Sequence, residues 1–270
     1  MNKIPPFVSL VIPCFNESKR LFRLESALVA FQANWAKSFE VIVVDDGSKD
    51  DTANRAEQIL DKLLQKADFK VISLSENQGK GGALRAGVLA ARGTYILTLD
   101  ADMAAHPLLL EEWFQNNIPS YQEIWIGSRT HEDSVIKAKS HRKITGSIYN
   151  LLVRLVTPIK ESDTQCGFKL YPNHIGKVLF ENLLLRGWAH DIELLYKAHY
   201  LGVTIKSMPV VWEHVEDEKI AVLQDGIKMA RQTIYLSFLF RFNRTFRRNL
   251  LKMKQSQEKF NVQVSANGDI

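Results

Sequence analysis

The chain has 270 residues, of which 46% are hydrophobic and 24% are charged, and its formal net charge is +5. This length accommodates one large domain or two small ones with a sizeable core. The two cysteines, Cys14 and Cys166, stand in no CxxC or zinc spacing, which argues against a disulfide framework and favours reduced, buried thiols in the cytosol. No uninterrupted apolar run reaches about 18 residues, so we expect no helix that spans a membrane.

The first half of the chain alternates apolar runs with amphipathic segments, which predicts strands separated by helices. The predicted strands cover residues 8–12, 39–44, 70–74, 95–99 and 123–126. The first predicted helix begins after the candidate cap Asn16 and covers residues 17–32. The next three cover residues 51–64, 79–92 and 107–116. This spacing indicates right-handed crossovers and an α/β fold with a Rossmann-like, mostly parallel sheet flanked by helices.

The pattern changes after residue 129. A polar loop is predicted over 131–140 and a turn with a short strand over 164–171, and a further strand over 204–212. Helices are predicted over 144–156, 174–185 and 191–201. We divide the chain into a folded domain (1–218), basic amphipathic helices (219–254) and a disordered tail (255–270).

Two predicted strands end in carboxylates. Asp45 and Asp46 follow the second strand and precede a Gly-Ser turn, whereas Asp100 and Asp102 follow the fourth. Because residues two apart in a strand point the same way, Asp100 and Asp102 can present oxygens to one hard cation, Mg²⁺ or Mn²⁺. Ordinary turn chemistry also explains an Asp-Gly-Ser segment. Two acidic strand ends at one edge of an open sheet nevertheless favour a site for a nucleotide diphosphate.

Glycines and cations occur at other predicted element ends. Gly79 and Lys80 precede a helix whose N-terminus would favour an anion, although a plain tight turn is equally consistent. Arg129 closes the fifth strand, and Arg142 begins the next helix. Both arginines are candidates to hold phosphate oxygens and to offset charge on a leaving diphosphate, the alternative being a solvated basic surface.

A polar loop and a second helix start complete the candidate residues. Gln165 lies in the loop 163–169, which enters a strand, and Asp191 lies at a helix start. Acids in a first helical turn often serve only as partners of the helix dipole, and this alternative stays open for Asp191.

The C-terminal part is strongly basic. Nine lysines and arginines but only one acid, Glu258, occur between residues 228 and 260. Aromatic residues stand among these arginines, a composition typical of a helix at a lipid interface. A helix that packs on the domain core or on a partner is the alternative. Nucleic acid is not expected as a partner because no reading motif accompanies the charge.

Eight motifs in order resemble family 2 glycosyltransferases with the GT-A fold, and within them the polyprenyl-phosphate sugar transferases, dolichyl-phosphate β-glucosyltransferases in particular. The resemblance runs from about residue 8 to residue 246. A single DDGS or DxD would be weak, but the full series is specific. The motifs are VSLVIPCFNE, EVIVVDDGSKDDT, NQGKGGALRAGVLAARG, LTLDADM, GSR, ESDTQCGFKLY, WAHDIELL and VVWEHVEDEKI.

The resemblance implies transfer of glucose from UDP-glucose to a polyprenyl phosphate, dolichyl or undecaprenyl, with inversion. Asp102 would coordinate the metal most directly, and Asp100 would be the second ligand. Arg129 and Arg142 would hold phosphates, and Asp191 would lie near the acceptor. The residues implied in binding the nucleotide sugar are Pro13, Asn16, Glu17, Asp45, Asp46, Gly79, Lys80, Asp100, Ala101 and Gln165.

Several alternatives remain. Mannosyl-phosphate synthases often carry a glutamine where this chain has Ala104, which favours the glucosyl branch over GDP-mannose. A family 2 glycosyltransferase with another acceptor is less consistent with the motifs. The same holds for a nucleotidyltransferase and for a non-catalytic binding protein. An ionised lipid phosphate needs no strong general base, whereas an alcohol acceptor would make Asp191 the natural base.

The resemblance also implies a place in the cell. We expect a peripheral enzyme at the cytoplasmic face of a membrane, since related glucosyl enzymes often have an N-terminal membrane helix that this chain lacks. Attachment would depend on residues 227–248, with or without a membrane-protein partner.

Overall fold

The computed structural model describes residues 5–64, 69–116, 120–137, 143–213, 222–253 and 255. Its strands are β1 (Val8–Cys14), β2 (Phe39–Asp45), β3 (Phe69–Ser73), β4 (Tyr95–Thr98), β5 (Glu123–Ser128), β6 (Val135–Lys137), β7 (Lys169–Pro172), β8 (Thr204–Pro209) and β9 (Val211–Glu213). Its helices are α1 (Leu21–Asn34), α2 (Thr52–Leu64), α3 (Lys80–Ala90), α4 (Leu109–Asn116), α5 (Lys143–Val156), α6 (Asn173–Glu181), α7 (His190–Leu201) and α8 (Val222–Phe242). Residues 244–253 are also helical.

The main sheet has seven strands in the order β3-β2-β1-β4-β7-β5-β8. All neighbours are parallel except β7, which runs antiparallel to both β4 and β5. The expected mostly parallel α/β sheet is therefore confirmed. Because β4 and β5 both oppose β7, their carboxyl ends lie at the same edge of the sheet as those of β1 and β2.

Both faces of the sheet are covered, as its apolar strands require. Successive side chains of β1 alternate between two cores: Leu10 and Ile12 lie in the core that includes α1 and α2, and Val11 lies in the core that includes α3, α6 and α7. Leu236 and Phe240 of α8 belong to the second core. The described part of α8 therefore packs against the sheet domain.

Two predicted elements differ from the structure for identifiable reasons. The segment predicted as a loop over 131–140 contains β6, whose Val135 backbone N–H donates to Val210 O at 3.0 Å. The predicted strand over 204–212 is divided at Val210, because its own N–H donates to Ser134 Oγ at 2.9 Å. β8 therefore joins the main sheet, whereas β9 pairs in parallel with β6.

The predicted helix over 174–185 ends early, at Glu181. The backbone N–H groups of Leu184 and Leu185 donate to the buried carboxylate of Glu193, at 3.0 and 2.7 Å. These hydrogen bonds replace the helical ones and direct the following residues towards the N-terminus of α3.

Candidate active site

The candidate residues gather at the carboxyl edge of the sheet. β1 and β2 end level there, since Cys14 pairs with Asp45, whereas β4 ends earlier, with Thr98 opposite Val11, and Asp100 and Asp102 follow it. β7 begins at the same edge because it runs the opposite way. This is where open α/β sheets bind ligands.

Asp45 and Asp46 are adjacent but have different environments. Asp45 Oδ1 accepts hydrogen bonds from the hydroxyl and backbone N–H of Ser48. Asp46 accepts the backbone N–H groups of Gln78 at 2.7 Å and Gly79 at 2.9 Å, one on each carboxylate oxygen. Burial raises the pKa of Asp46, although these two hydrogen bonds oppose the shift. Asp46 therefore holds the glycine-rich turn in place.

The segment from Pro13 to Glu17 lies beside Asp45. Asn16 adopts a left-handed backbone conformation, with φ of 51°, in which its N–H donates to Ser48 Oγ at 2.8 Å. Its side-chain oxygen accepts the Lys49 N–H at 2.8 Å. The sequence placed these residues together only by resemblance, whereas the structure joins them through Ser48, which also binds Asp45.

Asp100 and Asp102 are positioned by a turn rather than by strand alternation. β4 ends at Thr98, and Met103 has φ of 55° while its N–H donates to Asp100 O at 3.1 Å. Asp102 accepts the Ala104 N–H at 3.0 Å, which holds the turn at Met103. Burial and the nearby Asp100 raise the pKa of Asp102. A cation bound here would relieve the repulsion between the two carboxylates.

Asp100 also contacts a cation and a glycine. Lys80 Nζ lies 2.6 Å from Asp100 Oδ1 and 5.3 Å from the centre of the Trp188 ring. Burial would lower the pKa of Lys80, but Asp100 and Asp191 outweigh it, so the pKa is raised. A Cβ at Gly167 would lie 2.4 Å from the Asp100 oxygens, so a larger residue there would displace this carboxylate.

The glycines of the 79–82 turn permit close packing. Gly79 has φ of 85°, and a Cβ there would lie 2.7 Å from Arg186 O. The Gly82 N–H donates to the same carbonyl at 3.0 Å. The turn therefore binds the segment before α7, which supports the plain-turn interpretation for these contacts. They also place Lys80 at the first position of α3.

The loop before β7 offers polar groups that other described residues do not satisfy. Gln165 Nε2 and Thr164 Oγ1 are buried and have no hydrogen-bond partner in the described part of the chain. The Gln165 backbone N–H donates to Asp163 Oδ1 at 3.2 Å, which fixes the loop. A buried amide without a protein partner is chemically suited to bind a hydroxyl group of a ligand.

Arg129 is held by a carboxylate that the sequence analysis did not assign. Its Nε and Nη2 donate to the two oxygens of Asp163 at 2.7 and 2.9 Å, and its backbone N–H donates to the same group at 2.8 Å. Burial raises the pKa of Asp163, but Arg129 outweighs this effect and the pKa is lowered. The guanidinium lies 5.6 Å from the Trp212 ring. Arg142, the other predicted phosphate ligand, lies outside the described residues.

Asp191 takes part in a buried ion pair with Lys169. Lys169 Nζ donates to Asp191 Oδ1 at 2.6 Å and also to Cys166 O. His190 Nε2 lies 3.4 Å from the same carboxylate oxygen. Burial alone would raise the pKa of Asp191, but His190 and Lys169 outweigh it and the pKa is lowered. Asp191 is therefore ionised near neutral pH.

Lys169 and Asp163 are the charged partners that the sequence analysis missed. A signal for Lys169 was present, since a lysine between apolar residues in a predicted strand needs a buried counter-ion. Asp163 offered no comparable signal, because an acid in a polar loop is ordinary. Trp188 was also unassigned, although its ring lies beside Lys80.

The carboxylate oxygens at this edge of the sheet suit a divalent cation that has few protein ligands. Within the described ranges, no three side chains of the His, Cys, Asp and Glu types converge on a common point. Asp100 and Asp102 supply hard oxygen ligands at one turn, and Mg²⁺-type ions are often held by one or two carboxylates together with substrate phosphates. The two aspartates therefore fit the expected metal.

The described helix α8 has two distinct faces. Leu236, Leu239 and Phe240 are buried, and Phe240 stacks on Tyr196 at 3.6 Å between ring centres. The opposite face exposes Ile227, Ile234, Tyr235, Phe238 and Phe242, and we call this set the apolar stripe. The interpretation as a helix that packs on the domain thus applies to one face, and the lipid-interface interpretation stays a prediction for the other. Helices in the described ranges are too short or too polar to cross a bilayer.

Comparison with known proteins identifies the family. The sequence profile described as Glycosyl transferase family 2 matches residues 9–178. Dolichyl-phosphate beta-glucosyltransferase of Homo sapiens is 33% identical over 241 residues, which cover 85% of this chain and 74% of that protein. The proteins of the same name from Saccharomyces cerevisiae and Dictyostelium discoideum are 33% and 31% identical, over 88% and 87% of this chain and 78% and 75% of their own lengths.

Solved structures show the same fold. Glucosyl-3-phosphoglycerate synthase from Mycobacterium tuberculosis in complex with UDP matches with a TM-score of 0.61 at 19% identity, over 86% of this chain and 79% of that one. The complex of that enzyme with Mn²⁺, UDP-glucose and phosphoglyceric acid matches with a TM-score of 0.59 at 18% identity, over the same shares of the two chains. The chain therefore belongs to glycosyl transferase family 2, and it is a glycosyltransferase with the GT-A fold.

Proposed function

We propose that this enzyme transfers glucose from UDP-glucose to a polyprenyl phosphate of the dolichyl type, with inversion at the anomeric carbon. The observation that carries the proposal is the match, at 31–33% identity over at least 85% of the chain, to three proteins named dolichyl-phosphate beta-glucosyltransferase. The arrangement of the candidate site agrees with the chemistry that this reaction requires.

The donor nucleotide would bind between the ends of β1 and β2. Asp45 keeps a carboxylate at this edge, fixed through Ser48, and the Pro13–Glu17 segment would line the base. Asp46 would contribute indirectly, because Gln78 and Gly79 use both of its oxygens. This assignment changes the expected role of Asp46 from a ligand contact to support of the turn.

The diphosphate would lie between the α3 N-terminus and the Asp100–Asp102 turn. Asp100 and Asp102 would hold Mg²⁺ or Mn²⁺, and such an ion supplies neutralisation of the charge on the departing diphosphate. The Gly79–Lys80 turn adds a helix N-terminus and an ammonium group on the other side. The neighbouring fold is known with Mn²⁺ and UDP-glucose, which supports a divalent ion at this edge.

The sugar and the acceptor phosphate would lie over β7. Gln165 Nε2 is buried without a partner in the described chain and would donate to a sugar hydroxyl. Arg129, which Asp163 orients, would neutralise the acceptor phosphate. Arg142, which lies outside the described residues, would contribute a second positive charge.

Asp191 distinguishes between acceptor types. A general base acts best with a pKa near the working pH, whereas Lys169 and His190 lower the pKa of Asp191 below its usual value. A phosphate monoester is already ionised near neutral pH and needs no such base. The buried Lys169–Asp191 pair is thus better suited to a phosphate acceptor than to an alcohol.

We also propose that the apolar stripe of α8 contacts the membrane that holds the lipid acceptor. Lys228, Arg231 and Arg241 are exposed on the same helix, so a bilayer with anionic lipids complements both its charge and its apolar side chains. We place the enzyme at the cytoplasmic face, which agrees with two buried free cysteines in a reducing compartment. A membrane-protein partner would add to this attachment.

The direct test is a transfer assay on the purified protein. Mg²⁺ or Mn²⁺, a polyprenyl phosphate and either UDP-glucose or GDP-mannose are supplied in parallel, and lipid-linked sugar is measured. We expect product from UDP-glucose alone. Product from GDP-mannose alone, or from neither donor, would contradict the proposal.

A variant of the metal turn provides the matched test. Asp102→Asn should lower turnover by roughly 100-fold or more, because removal of one charge-stabilising group at a reacting centre has effects of that order. Asp61→Asn, at an exposed position of α2, should retain full activity. Equal activity of the two variants would argue against a metal at the Asp100–Asp102 turn.

A further inference from the structure

Lys80 lies against one of the two carboxylates that would hold a divalent ion. Its Nζ is 2.6 Å from Asp100 Oδ1, and its side chain is only 14% exposed. Asp102 and Asp191 also act on it electrostatically. The centre of the Trp188 ring lies 5.3 Å from Lys80 Nζ, a distance suited to a cation–π contact. The ammonium is thus enclosed by acids and an aromatic ring.

The Asp100 carboxylate packs against Gly167 on one side and is 35% exposed on the other. It rests on the backbone of Gly167, where even a Cβ atom would lie 2.4 Å from its oxygens. Thr98 Oγ1 donates to Gly167 O at 2.9 Å, which fixes this glycine against the end of β4. Lys80 thus occupies one oxygen of a carboxylate that would also serve a divalent ion.

The charges around Asp100 determine when the Lys80 ammonium and a divalent ion can both be bound there. Asp100 and Asp102 alone cannot neutralise a divalent ion together with the Lys80 ammonium, and two cations at one carboxylate repel each other. A nucleotide diphosphate adds the missing negative charge. It also offers Lys80 new oxygens at the N-terminus of α3, where the lysine's flexible stem begins.

We propose that Lys80 is an exchangeable counter-ion of Asp100. It neutralises this carboxylate until the nucleotide sugar arrives, and it then moves to the diphosphate and leaves Asp100 to the metal. Metal and nucleotide consequently bind in mutual dependence, and the metal alone binds weakly. This inference rests on the proposed function, since it takes a nucleotide diphosphate as the ligand.

Binding of Mn²⁺, measured by the electron paramagnetic resonance signal of the free ion, tests the proposal without any turnover. For the wild-type protein we expect UDP to increase the affinity for Mn²⁺ by about tenfold or more, a typical coupling between two ligands. Lys80→Met should bind Mn²⁺ about tenfold more tightly than wild type when UDP is absent, and UDP should then add much less. Lys80→Arg keeps the charge and should resemble the wild type.

Lys62→Met is the matched control, because Lys62 also pairs with a carboxylate, Glu25, at 3.0 Å, but is remote from this edge and exposed. It should leave Mn²⁺ affinity unchanged. Equal Mn²⁺ affinity of Lys80→Met and wild type without UDP would overturn the proposal. So would a wild-type affinity that UDP does not change, a measurement that needs no variant to fold.

The two proposals can fail separately. Isothermal titration of the wild-type protein with UDP tests the donor assignment by itself. If UDP does not bind, the proposed function is refuted, while the comparison of metal affinities without nucleotide still decides whether Lys80 competes for Asp100.

Discussion

The buried pair of Lys169 and Asp191 provides the sharpest test of how this site is built. Lys169 is 1% exposed and its Nζ lies 2.6 Å from Asp191 Oδ1. Lys169→Met removes the charge and leaves Asp191 buried without its main partner. Breaking one side of a buried pair costs about 3–5 kcal/mol. His190 and Lys80 still act on Asp191, so we expect the lower end, about 3 kcal/mol.

The assay is chemical denaturation at two pH values. In the wild type, the lowered pKa of Asp191 gives stability that is present above the unfolded pKa and is lost as pH falls through the folded pKa. In Lys169→Met, burial without the lysine should raise the folded pKa instead. The destabilisation should then be full at pH 7.5 and should shrink as pH falls towards about 4, because the buried carboxyl of Asp191 in the folded variant becomes protonated and leaves no unpaired charge.

Two comparisons separate this effect from simple loss of a lysine. Lys62→Met breaks an exposed ion pair and should cost at most about 1 kcal/mol with little dependence on pH. The double variant Lys169→Met/Asp191→Asn should recover most of the stability, because no buried charge remains unpaired. A loss below about 1 kcal/mol for Lys169→Met at pH 7.5 would refute the reasoning.

Two further predictions concern the metal turn and the membrane surface. Gly167→Ala should weaken UDP-dependent Mn²⁺ binding by about tenfold or more, because its Cβ would meet the Asp100 carboxylate, whereas Gly187→Ala meets nothing within 4 Å and should bind Mn²⁺ normally. Phe238→Ser should weaken binding to vesicles with anionic lipids about tenfold, measured by flotation. Phe22→Ser is the control because Phe22 is equally exposed, at 58% against 57%, but lies on α1; equal losses for both would contradict a specific role of α8.

The fold could be predicted from the sequence where it depends on local pattern. The β-branched run before Asp45 and the apolar run before Asp100 are unambiguous strands, and the helices between them force parallel pairing. The antiparallel direction of β7 and its place between β4 and β5 could not be predicted. They depend on pairing with residues far away in sequence, such as Lys169 with Thr98.

The candidate site divides in the same way. Asp100 and Asp102 were found by their position after a strand, although a turn, and not the strand, aligns them. The different environments of Asp45 and Asp46 could not be predicted from the sequence, because the two are adjacent residues of the same type. They follow from which backbone N–H groups the fold brings to each one, Ser48 in one case and Gln78 in the other.

The antiparallel strand β7 has a consequence for the order of folding during synthesis. The strands β1 to β4 are complete once residue 98 has been made, and they pair among themselves in the order β3-β2-β1-β4. β7 and β8 come at least 70 residues later, and long-range pairing of this kind is slow. A nascent chain would therefore present Lys80 and Asp100 on an unfinished edge before Gly167 and Lys169 arrive. Ribosome-stalled chains that end before residue 167 should form the first four strands but lack Gly167, against which the Asp100 carboxylate packs.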